Sequence, residues 1–377
     1  MAKKKTNKFS SFLNNPVDFT LVVVILLLLS LGLVMVLSAS SPSALSDGNS
    51  YSFFTKQAIF AVLGLGFMLV ISKVDYRFYK KYYILAYVVS ILLLIAVLAI
   101  GKTVNGATRW IYVGTDALSV QPSEIAKFLM IIFYATILSK NRDKLEKYRK
   151  GFLFHFALII PIIGLLLLEP HLSASIVIIG IISVMMIVAG CKFWHFLATG
   201  VVGGIPLLTL LIIKEPYRLQ RVTTFLDPWK DMRGDGWQVI QSLYAIGSGG
   251  LFGAGLGESK QKYLYIPEPH NDFIFSILAE ELGFIGCAAV LILFAVFIWR
   301  GVLIAMKAPD MFGSLVAIGI TAQVAIQVII NIAVVTSSMP ATGMPLPFFS
   351  YGGSALFILL CEMGVLLNIS KAGAKRE

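Results

Sequence analysis

Asp272 is the acidic side chain best placed to do chemistry in this 377-residue chain. It stands at the start of a long apolar run, and Glu268, His270, Glu280 and Glu281 all lie within a few helical turns of it. A carboxylate at such a point gains from the positive end of a helix dipole, so it could simply cap the helix. It could equally be functional, because ionisable groups at membrane depth are costly and tend to mark working sites. Glu280, Glu281 and, in the last apolar run, Glu362 need an internal partner or a watery cleft for the same reason. A second constellation is Glu124 with Lys127, three residues apart and therefore on one helix face. They could form a structural ion pair, or Glu124 could hold Lys127 toward a cavity as a phosphate-binding cation. Arg109-Trp110 adds a cation beside an aromatic ring, and Arg218, Arg221 and Lys262 add more positive charge. One placed carboxylate among scattered cations suits proton removal next to an anionic ligand such as a diphosphate.

Other motifs are weaker. Gly253-Ala254-Gly255-Leu256-Gly257 is followed by Glu258 rather than Lys-Ser/Thr, and no strand precedes it, so nucleotide-loop readings fail. Irregular glycine-rich backbone could still offer N–H groups to phosphate or dip into the membrane beside a cavity. Gln238 to Ile246 could form a short helix lying on the membrane. Pro340, Pro345, Pro347 and Ser350-Tyr351-Gly352-Gly353-Ser354 read either as a rigid turn or as a broken helix end lining a cavity. Cys191, Cys287 and Cys361 lie in or beside apolar segments without metal-ligand spacing, which predicts buried thiols.

The elements that must position these groups follow from composition. The chain is 58% hydrophobic and only 14% charged, against roughly 45–50% and about 25% in soluble domains. That excludes a soluble enzyme, a disordered chain and a fibrous rod. Spanning about 30 Å of hydrocarbon takes about 20 apolar residues, and ten runs qualify: 18–40, 54–73, 83–101, 122–139, 152–168, 172–190, 194–213, 272–299, 312–335 and 350–369. The expected fold is an all-α integral membrane protein of about ten transmembrane helices. A basic tail at 1–17, a polytopic domain at 18–370 and a second tail at 371–377 complete it, with a large extracytoplasmic loop, 214–271, between helices 7 and 8.

The net charge of +11 does not indicate nucleic acid, because the basic residues are spread in short runs between apolar stretches. With the N-terminus inside, Lys3, Lys4, Lys5 and Lys8, the cluster from Lys140 to Lys150, and Lys371, Lys375 and Arg376 all fall on the cytoplasmic side. The positive-inside rule then puts both termini in the cytoplasm. Lys73, Arg77, Lys80, Lys81, Lys192, Arg300 and Lys307 join the cytoplasmic set, and the other basic residues, all but Lys56, fall in two outer segments, 102–127 and 214–271.

Several motifs occur together and in order: Asn105-Gly106-Ala107-Thr108-Arg109-Trp110, Gln121-Pro122-Ser123-Glu124, Tyr217-Arg218-Leu219-Gln220-Arg221 and Ala245 to Gly250. Pro267-Glu268 through Asn271-Asp272-Phe273, Glu280-Glu281-Leu282-Gly283 and Pro347 to Ser354 complete the set. The chain thereby resembles the SEDS family (shape, elongation, division and sporulation), and its Tyr-Arg-Leu-Gln-Arg and Gln-Lys-Tyr runs are closer to the division or sporulation type than to the RodA type. Two positions depart from the family's Glu/Gln-Pro-Asp-Leu-Gly motif: His171 stands for the Asp and Ser173 for the Gly.

The resemblance implies a ten-helix peptidoglycan glycosyltransferase of the cytoplasmic membrane that polymerises lipid II at the outer face. It implies lipid II and nascent glycan on undecaprenyl diphosphate as substrates. The implied partners are a class B penicillin-binding transpeptidase, other divisome proteins and membrane lipid. Asp272 matches the family's essential aspartate, the general base of an inverting displacement, and Glu124 and Lys127 match its supporting ion pair. Candidate substrate or diphosphate contacts are Arg109, Trp110, Arg218, Arg221, Lys262, Glu268 and Ser350. No cofactor is firmly implied; a divalent cation (Mg or Mn) is the alternative source of positive charge, its ligands unassigned. Two other functions remain open at this point, a lipid II flippase or transporter and a non-enzymatic division scaffold.

Overall fold

The computed structural model describes residues 17–46, 51–104, 107–112, 119–232, 234, 236–263 and 265–373. The predicted tails at 1–17 and 371–377 therefore lie largely outside the described residues, although the last helix continues through Lys371 to Gly373. Among the described residues ten helices are long and apolar enough to cross a membrane, and the chain is a multi-pass membrane protein. The helices are α1 (Phe19–Ser46), α2 (Ser52–Ile71), α3 (Tyr83–Ile100) and α4 (Pro122–Lys140). Then come α5 (Tyr148–Leu168), α6 (Leu172–Ala189) and α7 (Phe193–Ile213). Two shorter helices, α8 (Pro216–Leu226) and α9 (Trp237–Ser248), lie in the long loop. The final spans are α10 (Ile274–Lys307), α11 (Met311–Val335) and α12 (Gly353–Gly373).

The backbone must satisfy itself in lipid, which is why these apolar runs are helical. The packing is uneven. Helices α4, α11 and α12 are buried over most of their length, whereas α7 has no buried residue and stands at the periphery. With no hydrophobic drive between helices inside a bilayer, small residues permit close contact. Gly64 of α2 faces Leu360 of α12, and Gly364 of α12 lies against the Met68 carbonyl. A small antiparallel sheet, not foreseen from the apolar runs, joins α3 to α4: β1 (Lys102–Val104), β2 (Ala107–Tyr112) and β3 (Ser119–Val120), in that order.

Ten alternating spans place segments 101–121, 169–171, 214–273 and 336–352 at one face, here called the loop face. Cross-contacts agree. Ser173 Oγ donates to the Thr342 carbonyl, and the Tyr351 N–H donates to the His270 carbonyl at 2.9 Å. The opposite face is closed by charge pairs, including Arg300 Nε to Asp18 Oδ2 at 3.0 Å and Arg77 Nε to Asp310 Oδ2 at 3.0 Å.

Helix α10 is broken at Gly283, whose φ of +64° is a left-handed conformation that glycine adopts without strain. The backbone groups freed by the break are taken up by the glycine-rich segment. Ala254 and Gly255 donate to the carbonyls of Glu280 and Glu281 at 2.9 and 3.0 Å, and Phe284 donates to the Gly250 carbonyl at 2.9 Å. The Ala254 and Gly255 N–H groups are thus consumed by α10 and are not presented to phosphate.

The two buried carboxylates of this turn find their partners here too. Lys262 Nζ lies 2.9 Å from Glu281 Oε1, with both side chains almost fully buried, and Ser38 Oγ of α1 donates to the same carboxylate at 2.6 Å. Glu280 accepts from Ser259 Oγ and, at 2.9 Å, from the Lys260 N–H. Helix α9 forms close to where the sequence placed it and packs Val239, Ile240 and Ala245 inward against α10.

Candidate active site

Asp272 sits two residues before α10 and is stitched to the proline-rich segment through its backbone. Asn331 of α11 uses both amide hydrogens, donating to the Asp272 carbonyl at 2.8 Å and to the Met344 carbonyl at 2.7 Å. Ser350 Oγ donates to the Asn271 carbonyl and accepts from the Leu346 N–H, each at 2.7 Å. These bonds fix the chain on either side of the carboxylate. Position 343 must be small: Gly343 has φ +70°, and a Cβ there would come within 3.3 Å of Asp272 Oδ2.

The capping role is not what the structure shows. The N-cap position of α10 is Phe273, with no side-chain cap, and among the described residues no hydrogen bond to the Asp272 carboxylate occurs. The Asn271 side chain is also spent elsewhere, donating to Glu268 Oε2 at 2.8 Å. Asp272 is half-buried. Burial, with the Glu268 charge added, pushes its carboxyl up from 3.8 to about 6, while Arg221 and Arg109 pull in the opposite direction.

Those two arginines come from elements far apart in sequence. Arg109 on β2 donates to the Pro170 carbonyl in the α5–α6 hairpin, and Arg221 on α8 donates to the Ala341 carbonyl at 2.6 Å. Each charge is thereby anchored within electrostatic reach of Asp272. Behind Arg109 stand Glu169 and His171, both buried. Burial lifts the Glu169 carboxyl to about 8 against the pull of Arg109. Burial, helped by Arg109 and Lys127, lowers His171 to about 3, so its ring is neutral. The position where the family's motif carries an acid therefore brings no negative charge here.

The remaining candidates separate. Lys127 and Glu124 form a 2.7 Å ion pair, but Lys127 is only 2% exposed. It lies beneath the site, and its charge also acts on Glu362, which accepts from Gln323 at 2.9 Å. Glu268 is exposed on the rim. Three other candidates make contacts within the protein. Lys262 is locked to Glu281, as described above. Arg218 Nη1 donates to the Leu211 carbonyl at 3.1 Å, finishing the end of α7. The Ser350 hydroxyl is committed to backbone bracing. Trp110 follows Arg109 in the same strand, so its ring projects from the opposite face of the ribbon.

Among the described residues no group of three or more His, Cys, Asp or Glu side chains comes together as a metal site. Among the described residues the positive charge acting on Asp272 is that of Arg221 and Arg109. Sequence reasoning missed Asn331, Gly343 and Glu169 as parts of this site. Their only signals were a polar side chain within an apolar run, a glycine between two prolines, and an acid at a hairpin corner.

The fold that carries this site is shared with known proteins. Residues 19–375 match the FtsW/RodA/SpoVE model, described as "Cell cycle protein", and the chain belongs to that family. Stage V sporulation protein E of Bacillus subtilis is 46% identical over 357 residues, covering 94% of this chain and 97% of the relative. A probable peptidoglycan glycosyltransferase FtsW of Trichlorobacter lovleyi is 41% identical over 341 residues, covering 90% and 88%. Among solved structures, a chain from work on "structural coordination of polymerization and crosslinking by a peptidoglycan synthase complex" superposes with a TM-score of 0.78 at 30% identity. It covers 95% of this chain and 98% of its own. The rod shape determining protein RodA of Thermus thermophilus gives 0.70 at 28% identity, covering 94% and 96%.

Proposed function

We propose that this chain is a peptidoglycan glycosyltransferase that polymerises lipid II into glycan strands at the outer face of the cytoplasmic membrane, in division or sporulation. The names of its relatives support the activity. The observation that carries the mechanism is the Asp272 carboxylate, uncapped, held near neutrality and flanked by Arg109 and Arg221.

In this reaction an acceptor hydroxyl oxygen attacks the anomeric carbon of the donor sugar, and its proton passes to the Asp272 carboxylate. The bond from that carbon to the diphosphate oxygen breaks, and the electron pair leaves with the diphosphate. A diphosphate is already a weak base, so no general acid is required. Its charge is met by the anchored arginines, which need little reorganisation as it leaves. Direct displacement inverts the anomeric carbon and needs no second carboxylate, unlike glycoside hydrolysis, where a poorer leaving group must be protonated. A base with a pKa close to working pH is both ionised and basic enough to help. The partner is a class B penicillin-binding transpeptidase, in keeping with the synthase complex of the structural relative.

The test is reconstitution of the purified chain with such a partner and lipid II. Glycan strands with inverted linkages are expected. A partner-activated preparation that makes no polymer but moves lipid II across vesicles would replace this reading with the transporter.

A further inference from the structure

A cleft of about 240 Å³ opens beside Asp272, between α8 and α9, walled by Gln220, Arg221, Thr224, Phe225, Trp237 and Gln238. Two of its features lead to the carboxylate. Arg221 lines the cleft and also acts on Asp272. Ala341, which also lines the cleft, holds Arg221 and lies two residues from Gly343, where an added Cβ would come within 3.3 Å of Asp272 Oδ2. The cleft and the base are therefore neighbours across one arginine.

The lining chooses the ligand. The Trp237 indole N–H is spent on the Tyr265 carbonyl at 2.6 Å, and the two rings stack at 6.4 Å with planes 23° apart. The ring is thus fixed, its donor is satisfied, and what it offers the cleft is apolar aromatic surface. Around it stand the carboxamides of Gln220 and Gln238 and the hydroxyls of Thr224 and Ser337, each able to donate and accept. A flat apolar face ringed by such groups matches a pyranose, which has a C–H face and equatorial hydroxyl or acetamido edges. A diphosphate would need more than one cation, and although Phe225, Val239, Pro267 and Met339 add apolar wall, an acyl chain would leave the polar groups set among them unpaired. The volume is below the range of about 300–1,000 Å³ that accommodates drug-sized ligands, so it admits about one sugar ring.

We infer that this cleft is the subsite for the acceptor saccharide, seating the ring whose hydroxyl Asp272 deprotonates. The inference rests on the glycosyltransferase reading above and adds to it which groups hold the attacking sugar. The donor, with its diphosphate, then lies on the Arg109 side of Asp272, and the Arg221 charge is shared between the two halves of the site.

The test separates donor from acceptor. A lipid II analogue whose attacking hydroxyl is blocked serves only as donor, and one with a carbon-linked phosphonate in place of the anomeric oxygen serves only as acceptor. Single couplings between them give a KM for each. Trp237→Ala and Gln220→Ala should each raise the acceptor KM about tenfold while leaving the donor KM and kcat within about twofold. Trp237→Phe, which keeps the aromatic surface without the N–H, should restore the acceptor KM. Equal effects on both substrates, unchanged acceptor KM values, or a Phe variant as poor as the Ala variant would overturn the assignment while leaving the glycosyltransferase reading intact. Absence of any coupling by the unmodified chain with its partner would instead refute that reading.

Discussion

If Asp272 is the base, polymerisation should titrate with it. An acid with a pKa of about 6 is about nine-tenths ionised at pH 7 and about one-tenth ionised at pH 5, so kcat/KM should fall about tenfold across that interval. An aspartate at the ordinary 3.8 would remain ionised throughout, and the rate would barely change. The charges around the carboxylate give the test a sign. Glu268 raises its pKa and Arg221 lowers it. Glu268→Gln should therefore move the acid limb to lower pH and Arg221→Gln should move it to higher pH, each by about half a pH unit. The assay is the initial rate of fluorescent lipid II polymerisation between pH 5 and 8 at constant ionic strength, with the partner saturating. A flat profile, or two variants moving the limb the same way, would refute the reasoning. The same carboxylate weighs on the fold. A rise from 3.8 to about 6 gives the protonated acid about 3 kcal/mol of stabilisation that the ionised form at neutral pH lacks. Because the folded state favours the protonated acid, this stability is present below about pH 4 and is lost as pH rises through about 6. Asp272→Asn should accordingly melt higher than the native chain at pH 8, with the difference shrinking toward pH 4.

Other consequences concern the frame around the site. Lys262→Met leaves Glu281 buried without its cation, which should cost about 3–5 kcal/mol; the double variant Lys262→Met/Glu281→Gln should recover much of that loss in thermal unfolding in detergent. Gly343→Ala pairs a positive φ with a methyl group pressed toward Asp272 Oδ2. It should reduce kcat at least about tenfold while costing only about 1 kcal/mol of stability, and normal turnover would show that the carboxylate tolerates displacement. Lys260 is exposed on the glycine-rich segment whereas Lys262 is buried. In a background lacking the three native cysteines, a cysteine at 260 should react with an impermeant reagent from outside the cell, and labelling only from the cytoplasm would reverse the assigned orientation.

The spans were readable because a run of about twenty apolar residues matches the thickness of a bilayer and little else in a folded chain. Their ends were less so. Helix α10 runs to Lys307 rather than 299, and α5 starts at Tyr148 rather than 152, because helix propensity outlasts hydrophobicity where spans leave the lipid. The pairing of β1 with β2 leaves no mark in the apolar runs, and its sequence signal is only the short Asn105-Gly106 turn pair between β-prone residues. At the site, Asp272 was visible as a carboxylate opening an apolar run, and Arg109 and Arg221 as positive charge in the outer segments. Lys262 looked equivalent to them by type and loop, but its burial against Glu281 depends on the break at Gly283, which residue spacing does not reveal. Asn331 and Trp237 were opaque for a related reason: their importance comes from which backbone and which cleft they meet, and tertiary packing alone decides that.

The most direct measurement is polymer yield from purified Asp272→Asn, with its partner and lipid II, beside a native preparation of equal folded content. Loss of the base should cut the rate by about 10²–10⁴ while lipid II binding and partner association persist. Strands formed at the native rate by that variant would contradict the assignment of Asp272 as the group that takes the acceptor's proton.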